Sequence, residues 1–123
     1  MSLTIDVYSP GADLTAHAST DILAKSFVRI SGNRIDGNLS VAPAAAAGRI
    51  AGVARHDALA GDLVLLARGN SRVVKVTAGA AITAFAEVEV GADGKAITLA
   101  SGKAVGYAVT GAASGADAQI SLY

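Results

Sequence analysis

The chain has no cysteine, so neither disulfides nor thiolate-held metals can organise it. Such a composition fits a protein made in a reducing cytoplasm. It has five aromatic residues, too few and too scattered for a base-stacking platform. Ten basic and ten acidic residues cancel to a formal net charge of zero, which leaves no electrostatic footprint for nucleic acid or an anionic membrane. Charged residues make up 16% of the sequence, against the usual quarter or so. No segment approaches the ~18 uncharged apolar residues of a membrane span. The first six residues carry neither a basic n-region nor an apolar h-region, so no signal peptide is expected.

What the sequence does have is small. Hydrophobic residues are 52%, much of it alanine, and there are 14 glycines among 123 residues. That length makes one domain, or two half-domains sharing one core, and buries roughly two-thirds of its unfolded surface. Low charge on a small-residue exterior suggests a surface covered by a partner or by further copies of the chain. A net charge near zero does little to keep copies apart.

Alternation of apolar and polar residues predicts strands over residues 3–8, 86–90 and 118–122. Further strands are expected in the second half of 22–30 and over 49–54, 62–67, 72–76, 96–99 and 103–109. Residues 14–19 are weakly patterned and read as loop or a short extended piece. Ser31-Gly32-Asn33 and Asp36-Gly37-Asn38 are turn signals. Gly69-Asn70 predicts a hairpin joining 62–67 to 72–76, and Asp93-Gly94 predicts another. Alanine favours helix in 41–47, but Pro43 and Gly48 leave room only for one turn or a covered loop.

The chain also reads as a repeat. Gly11 to Ala18 resembles Gly79 to Ala86 at an offset of 68. Gly48, Gly52 and Gly61 match Gly102, Gly106 and Gly115 at an offset of 54, which makes the first copy 14 residues longer. The expected organisation is a single domain over 1–123, with a first copy at 7–66, an insertion near 31–47 and a second copy at 76–123. Each copy is too small to bury its own face, and two packed together share a core. The expected fold is all-β, a compact sandwich or barrel of about eight or nine short strands.

Candidate chemistry is sparse. Arg55-His56-Asp57 resembles a catalytic fragment, but its counterpart at 109–111 is Val-Thr-Gly, and a general base needs a positioned partner and a pocket. His17 aligns with Phe85 at the offset of 68, which favours packing over metal ligation. No His, Asp and Glu set has metal-ligand spacing. Gly94-Lys95 and Gly102-Lys103 lack the phosphate-loop frame, because alanine follows each lysine. No G-x-S-x-G elbow occurs. These features predict no enzyme, no cofactor, no metal and no small-molecule substrate.

Several segments carry a resemblance. They are Thr77 to Thr83, Val88-Glu89-Val90 with Asp93-Gly94-Lys95, Ala100 to Gly106 and Ile120-Ser121-Leu122. In the first copy, Arg49 to Ala54 and Ala60 to Val64 fit the same pattern. Together they resemble small phage proteins encoded beside major capsid proteins, some of which are capsid decoration or head-stabilising proteins. Residues 102–123 are similar, more loosely, to the head protein of lambdoid phages. The resemblance implies a structural virion protein on the outer surface of an icosahedral capsid, made in the bacterial host cytoplasm. It would bind the major capsid protein, form a homotrimer and stabilise the expanded shell. No nucleic acid or membrane partner is expected. The alternative is another virion component, such as a head-fibre base or a tail or spike adaptor. Capsid or subunit contacts are expected at Leu3, Ile5, Val7, Arg34, Ile35, Asn38, Leu39 and His56.

Overall fold

The computed structural model describes residues 7–9 and 11–123. Leu3 and Ile5, and most of the strand expected over 3–8, lie outside the described residues. Val7 and Tyr8 occupy a bend. The chain is all-β, with ten strands among the described residues. They are β1 (Leu14–Ala18), β2 (Phe27–Ile35), β3 (Asn38–Pro43), β4 (Gly52–Ala54), β5 (Leu63–Ala67), β6 (Val73–Thr77), β7 (Glu87–Val90), β8 (Ala96–Thr98), β9 (Gly106–Ala108) and β10 (Asp117–Leu122).

The strands fall into two sets of five. β1 to β5 close into a barrel in the order β1-β3-β2-β4-β5, with β5 returning to β1. β6 to β10 form a sheet in the order β6-β10-β9-β7-β8. Pair for pair the two sets match: β1–β5 with β6–β10, β4–β5 with β9–β10, β2–β4 with β7–β9, and β2–β3 with β7–β8. The parallel β1–β3 pair has only a single parallel bridge, Ala78 to Ala96, as its counterpart.

The interiors also correspond. The first is lined by Leu14, Ala16, Ala18, Ile22, Val28, Val41, Ala54, Ala58, Val64 and Leu66. At matching positions the second has Val74, Val76, Ala78, Ile82, Val88, Ala96, Ala108, Ala112, Ala118 and Ile120. Five short strands enclose a narrow space, which side chains alone must fill. Alanines beside branched residues suit that width.

Backbones approach closely at a matched pair of glycines. A Cβ on Gly52 would lie 2.8 Å from the Ala67 carbonyl oxygen, and one on Gly106 would lie 2.5 Å from that of Ser121. A side chain at either position would crowd a neighbouring backbone.

Four expectations are corrected. The Gly69-Asn70 turn joins no hairpin: β5 pairs with β1 and β4, while β6 pairs with β10. It is the link that hands the chain from one unit to the other. Residues 14–18 and 38–43 are strands, because each completes a barrel wall that local propensity does not reveal. The Ser31-Gly32-Asn33 signal is absorbed into β2 as a register shift, and the chain reverses only at Asp36 and Gly37. Finally, Ala16 faces Val64 as Val76 faces Ala118, so the offset before the β2–β3 hairpin is 60. Across β3 the offset is 55 and from Ala51 on it is 54, so the first unit is longer by six residues, five of them between the paired parts of β2 and β3.

The units are joined by a seam. Phe27, Val53 and Ala44 point away from the first barrel and belong to the core of the second. Phe27 is fully buried there. The Lys25 carbonyl accepts from the Thr77 amide at 2.9 Å. Ala47 donates to the Val90 carbonyl at 2.8 Å and accepts from the Lys103 amide at 3.1 Å. Lys25 Nζ lies 2.9 Å from Asp117 Oδ2.

Candidate functional site

The expected contact residues gather mostly around one hairpin. Arg34 and Ile35 end β2, and Asn38 and Leu39 begin β3. The bend at Val7 and Tyr8 lies against it. Arg34 donates to Tyr8 Oη at 2.9 Å and to the Gly37 carbonyl at 2.8 Å. The Tyr8 ring has the guanidinium groups of Arg34 and Arg68 each 5.6 Å from its centroid. Ion-to-ring attraction of this kind holds an N-terminal strap to the hairpin. Arg68 adds a hydrogen bond to the Ser9 carbonyl, and Arg72 another to that of Gly11. Val7, beside Tyr8, is 74% exposed.

His56 lies apart from these, in the loop between β4 and β5. Its Nδ1 meets the Asp57 carbonyl at 2.9 Å, and its Nε2 accepts from the Leu65 amide at 3.2 Å. Both ring nitrogens therefore serve the backbone, and the ring is a loop clasp. His17 is half-buried on β1, opposite Leu63.

A cleft of about 410 Å³ runs along the seam, lined by Lys25, Arg55, Arg72 and Lys75 with Val53 and Val74. Of these four basic side chains, three are already paired. Asp13 bridges Arg72 at 2.7 Å and Arg55 at 3.6 Å, and Asp117 takes Lys25. Among the described residues, no three His, Asp or Glu side chains gather as metal ligands would.

Two apolar surfaces went unnoticed in the sequence. On the first unit Leu23, Leu59, Leu63 and Leu65 are all exposed. The matching positions of the second unit carry Thr83, Ala113, Asp117 and Gln119. On the second unit Phe85 packs edge-on against Tyr107, with centroids 5.4 Å apart, and Tyr107 lies 6.2 Å from Tyr123. Tyr123 donates to Glu87 Oε2 at 2.7 Å, and that bond to a carboxylate raises the phenol's pKa above its ordinary value. The signal for both surfaces was the repeat itself. At an offset of 60 it aligns Lys25 with Phe85, whereas an offset of 68 hides the difference.

Among the described residues, what distinguishes the surfaces is apolar exposure. A profile of the phage cement protein family matches residues 8–122. No curated protein matches the chain. Among solved structures, the N base of the head fibre protein gp8.5 of bacteriophage phi29 is similar, with a TM-score of 0.78 and 25% identity. That likeness covers 91% of this chain and 93% of the other.

Proposed function

The chain belongs to the phage cement protein family, and from that premise we propose that it is a structural virion protein seated on the outside of an icosahedral capsid. In this reading it binds the major capsid protein, assembles as a homotrimer, stabilises the expanded shell and performs no catalysis. The observation that carries it is the family match, which runs through both five-strand units. The exposed leucines and aromatics support it, since large apolar side chains left in water on a small domain mark surfaces meant to be covered. The two units are read as copies of one ancestral β unit.

Val7, Arg34, Ile35, Asn38 and Leu39 are proposed as capsid or subunit contacts, together with Leu3 and Ile5 ahead of them. The hairpin is the part of the first unit that exceeds the second, so it is the natural place for contacts special to this protein. His56 is proposed only as part of the loop beside a contact.

The test is to mix purified protein with expanded, undecorated shells of its own phage. Stoichiometric co-sedimentation and greater resistance of the shells to heat or osmotic shock are expected. Bare shells after mixing would sink the reading.

A second reading, the base of a head fibre, is favoured by the similarity to the phi29 N base. It keeps the capsid seat and adds a projecting partner. Labelled protein seen by microscopy over the shell with a fibre rising from it supports this version. Label confined to the tail points to a tail or spike adaptor instead.

A further inference from the structure

The seam inside the chain has an uncovered counterpart on each unit. On the first unit the seam is built by Lys25, Phe27 and Val53, and on the second by Thr77 and Asp117. Strand pairing fixes what matches them. Phe27 faces Val53 as Glu87 faces Tyr107, and His17 faces Leu63 as Thr77 faces Asp117. The Lys25 amide bonds the Ala54 carbonyl as the Phe85 amide bonds that of Ala108. So Lys25 matches Phe85, and Asp117 matches Leu63.

Within the chain these two positions hold a charged pair. At the uncovered counterparts both members are apolar. Phe85 is 80% exposed and Leu63 53%. Phe85 also keeps the left-handed backbone of its counterpart, with φ of 69° against 59° at Lys25. A bulky residue pays conformational energy there, and such strain gathers at functional sites. For Lys25 the seam accounts for the conformation, since its carbonyl and side chain both engage the second unit. For Phe85 the turn holds the backbone, its amide bonded to the Ala108 carbonyl, while its side chain meets the Tyr107 ring and stays exposed.

We infer that the Phe85 and Tyr107 face of one copy receives the His17 and Leu63 face of a second copy, head to tail, with Phe85 meeting Leu63 between chains as Lys25 meets Asp117 within one. The inference rests on the trimer proposed above and names its interface: three such contacts would close a ring of six units. A second copy is the partner because its His17 and Leu63 are the counterparts of Thr77 and Asp117, which already meet Lys25, the counterpart of Phe85. An apolar pair suits a contact formed on assembly, because burial of such side chains stabilises where an exposed ion pair contributes little.

The test replaces Phe85 by the photoreactive analogue p-benzoylphenylalanine and irradiates the protein alone and on shells. The expected product is a covalent link from position 85 to a second copy, mapping to the peptides around His17 and Leu63. A link to position 85 itself means a two-fold contact and overturns the inference. So does a link to a capsid subunit, or no link to a second copy in either setting. Phe85→Lys is expected to weaken self-association at least tenfold, and adding Leu63→Asp to recover most of it. Unchanged association of Phe85→Lys overturns the inference as well. Shell binding is scored separately: bare shells count against the capsid reading, whereas decorated shells without the mapped link count against the interface alone.

Discussion

The first unit closes on its own strands, whereas the second is finished by residues borrowed from the first. In the first, β1 and β3 pair over three positions and the wall is complete. In the second the same junction is one bridge, and Phe27, Ala44 and Val53 of the first unit enter its core. The difference teaches that one topology can be completed in two ways. One unit removes its edges by hydrogen bonding, and the other leaves a gap that a neighbour covers. It also sets a dependence: the second unit needs the first more than the first needs the second.

Phe27 is where that dependence is most exposed to test. Phe27→Ala removes a fully buried ring from the second unit's core, and a loss of about 3–5 kcal/mol is expected. Glu87 holds the matching position on the second unit and is exposed. Glu87→Ala removes an exposed side chain and its bond from Tyr123, and is expected to stay within about 1 kcal/mol. Denaturant unfolding of both variants measures the gap between them. Equal losses would mean that the two units are not joined in the way the seam describes.

The glycines probe what the units share. Gly52→Ala and Gly106→Ala each drive a methyl against a backbone carbonyl of the adjacent strand. Backbone must shift in both, and a cost of about 1–3 kcal/mol is expected for each. Gly106 has the tighter approach, with Ile120 Cγ2 also 2.8 Å from the added carbon, so its loss should be the larger. Thermal midpoints of the two variants check both the size and the order.

His56 tests a smaller feature, present in the first unit only. His56→Ala leaves the Leu65 amide without its side-chain acceptor, and about 0.5–1.5 kcal/mol is expected to be lost. Removing the matching side chain, Thr110→Ala, should cost less than about 0.5 kcal/mol. Chemical denaturation of the pair is sufficient to compare them.

Much of this architecture was legible in the residues, and the failures share a cause. Strict alternation marked β7 and β10, and Asp93-Gly94 marked the β7–β8 hairpin, because those signals are local. The matched glycines are what prompted the reading of a repeat. Strand β3 was hidden because its end runs into the alanine-rich stretch that follows, which favours helix by propensity. The same scarcity of large side chains let Gly11 to Ala18 mimic Gly79 to Ala86, although Leu14 lines a barrel wall and Ile82 bridges to Ala112. Correct registration needed pairing partners far apart in the chain. The apolar faces around Leu63 and Phe85 were invisible for that reason: each is unusual only beside its counterpart.

The smallest expected effect bears on the seam's charge. Lys25 and Asp117 meet at 2.9 Å, but their side chains remain 48% and 39% exposed. Water and salt screen such a pair, and holding a lysine in one geometry costs rotamer freedom. A double-mutant cycle with Lys25→Ala and Asp117→Ala should therefore return a coupling of no more than about 1 kcal/mol, shrinking as salt is raised. Phe27 holds the units together, and the ion pair selects which faces meet. If the coupling instead reached the size of the Phe27 loss, the charged pair would be the seam's main support. Replacing it by Phe85 and Leu63 at the uncovered faces would then weaken a contact between copies rather than create one.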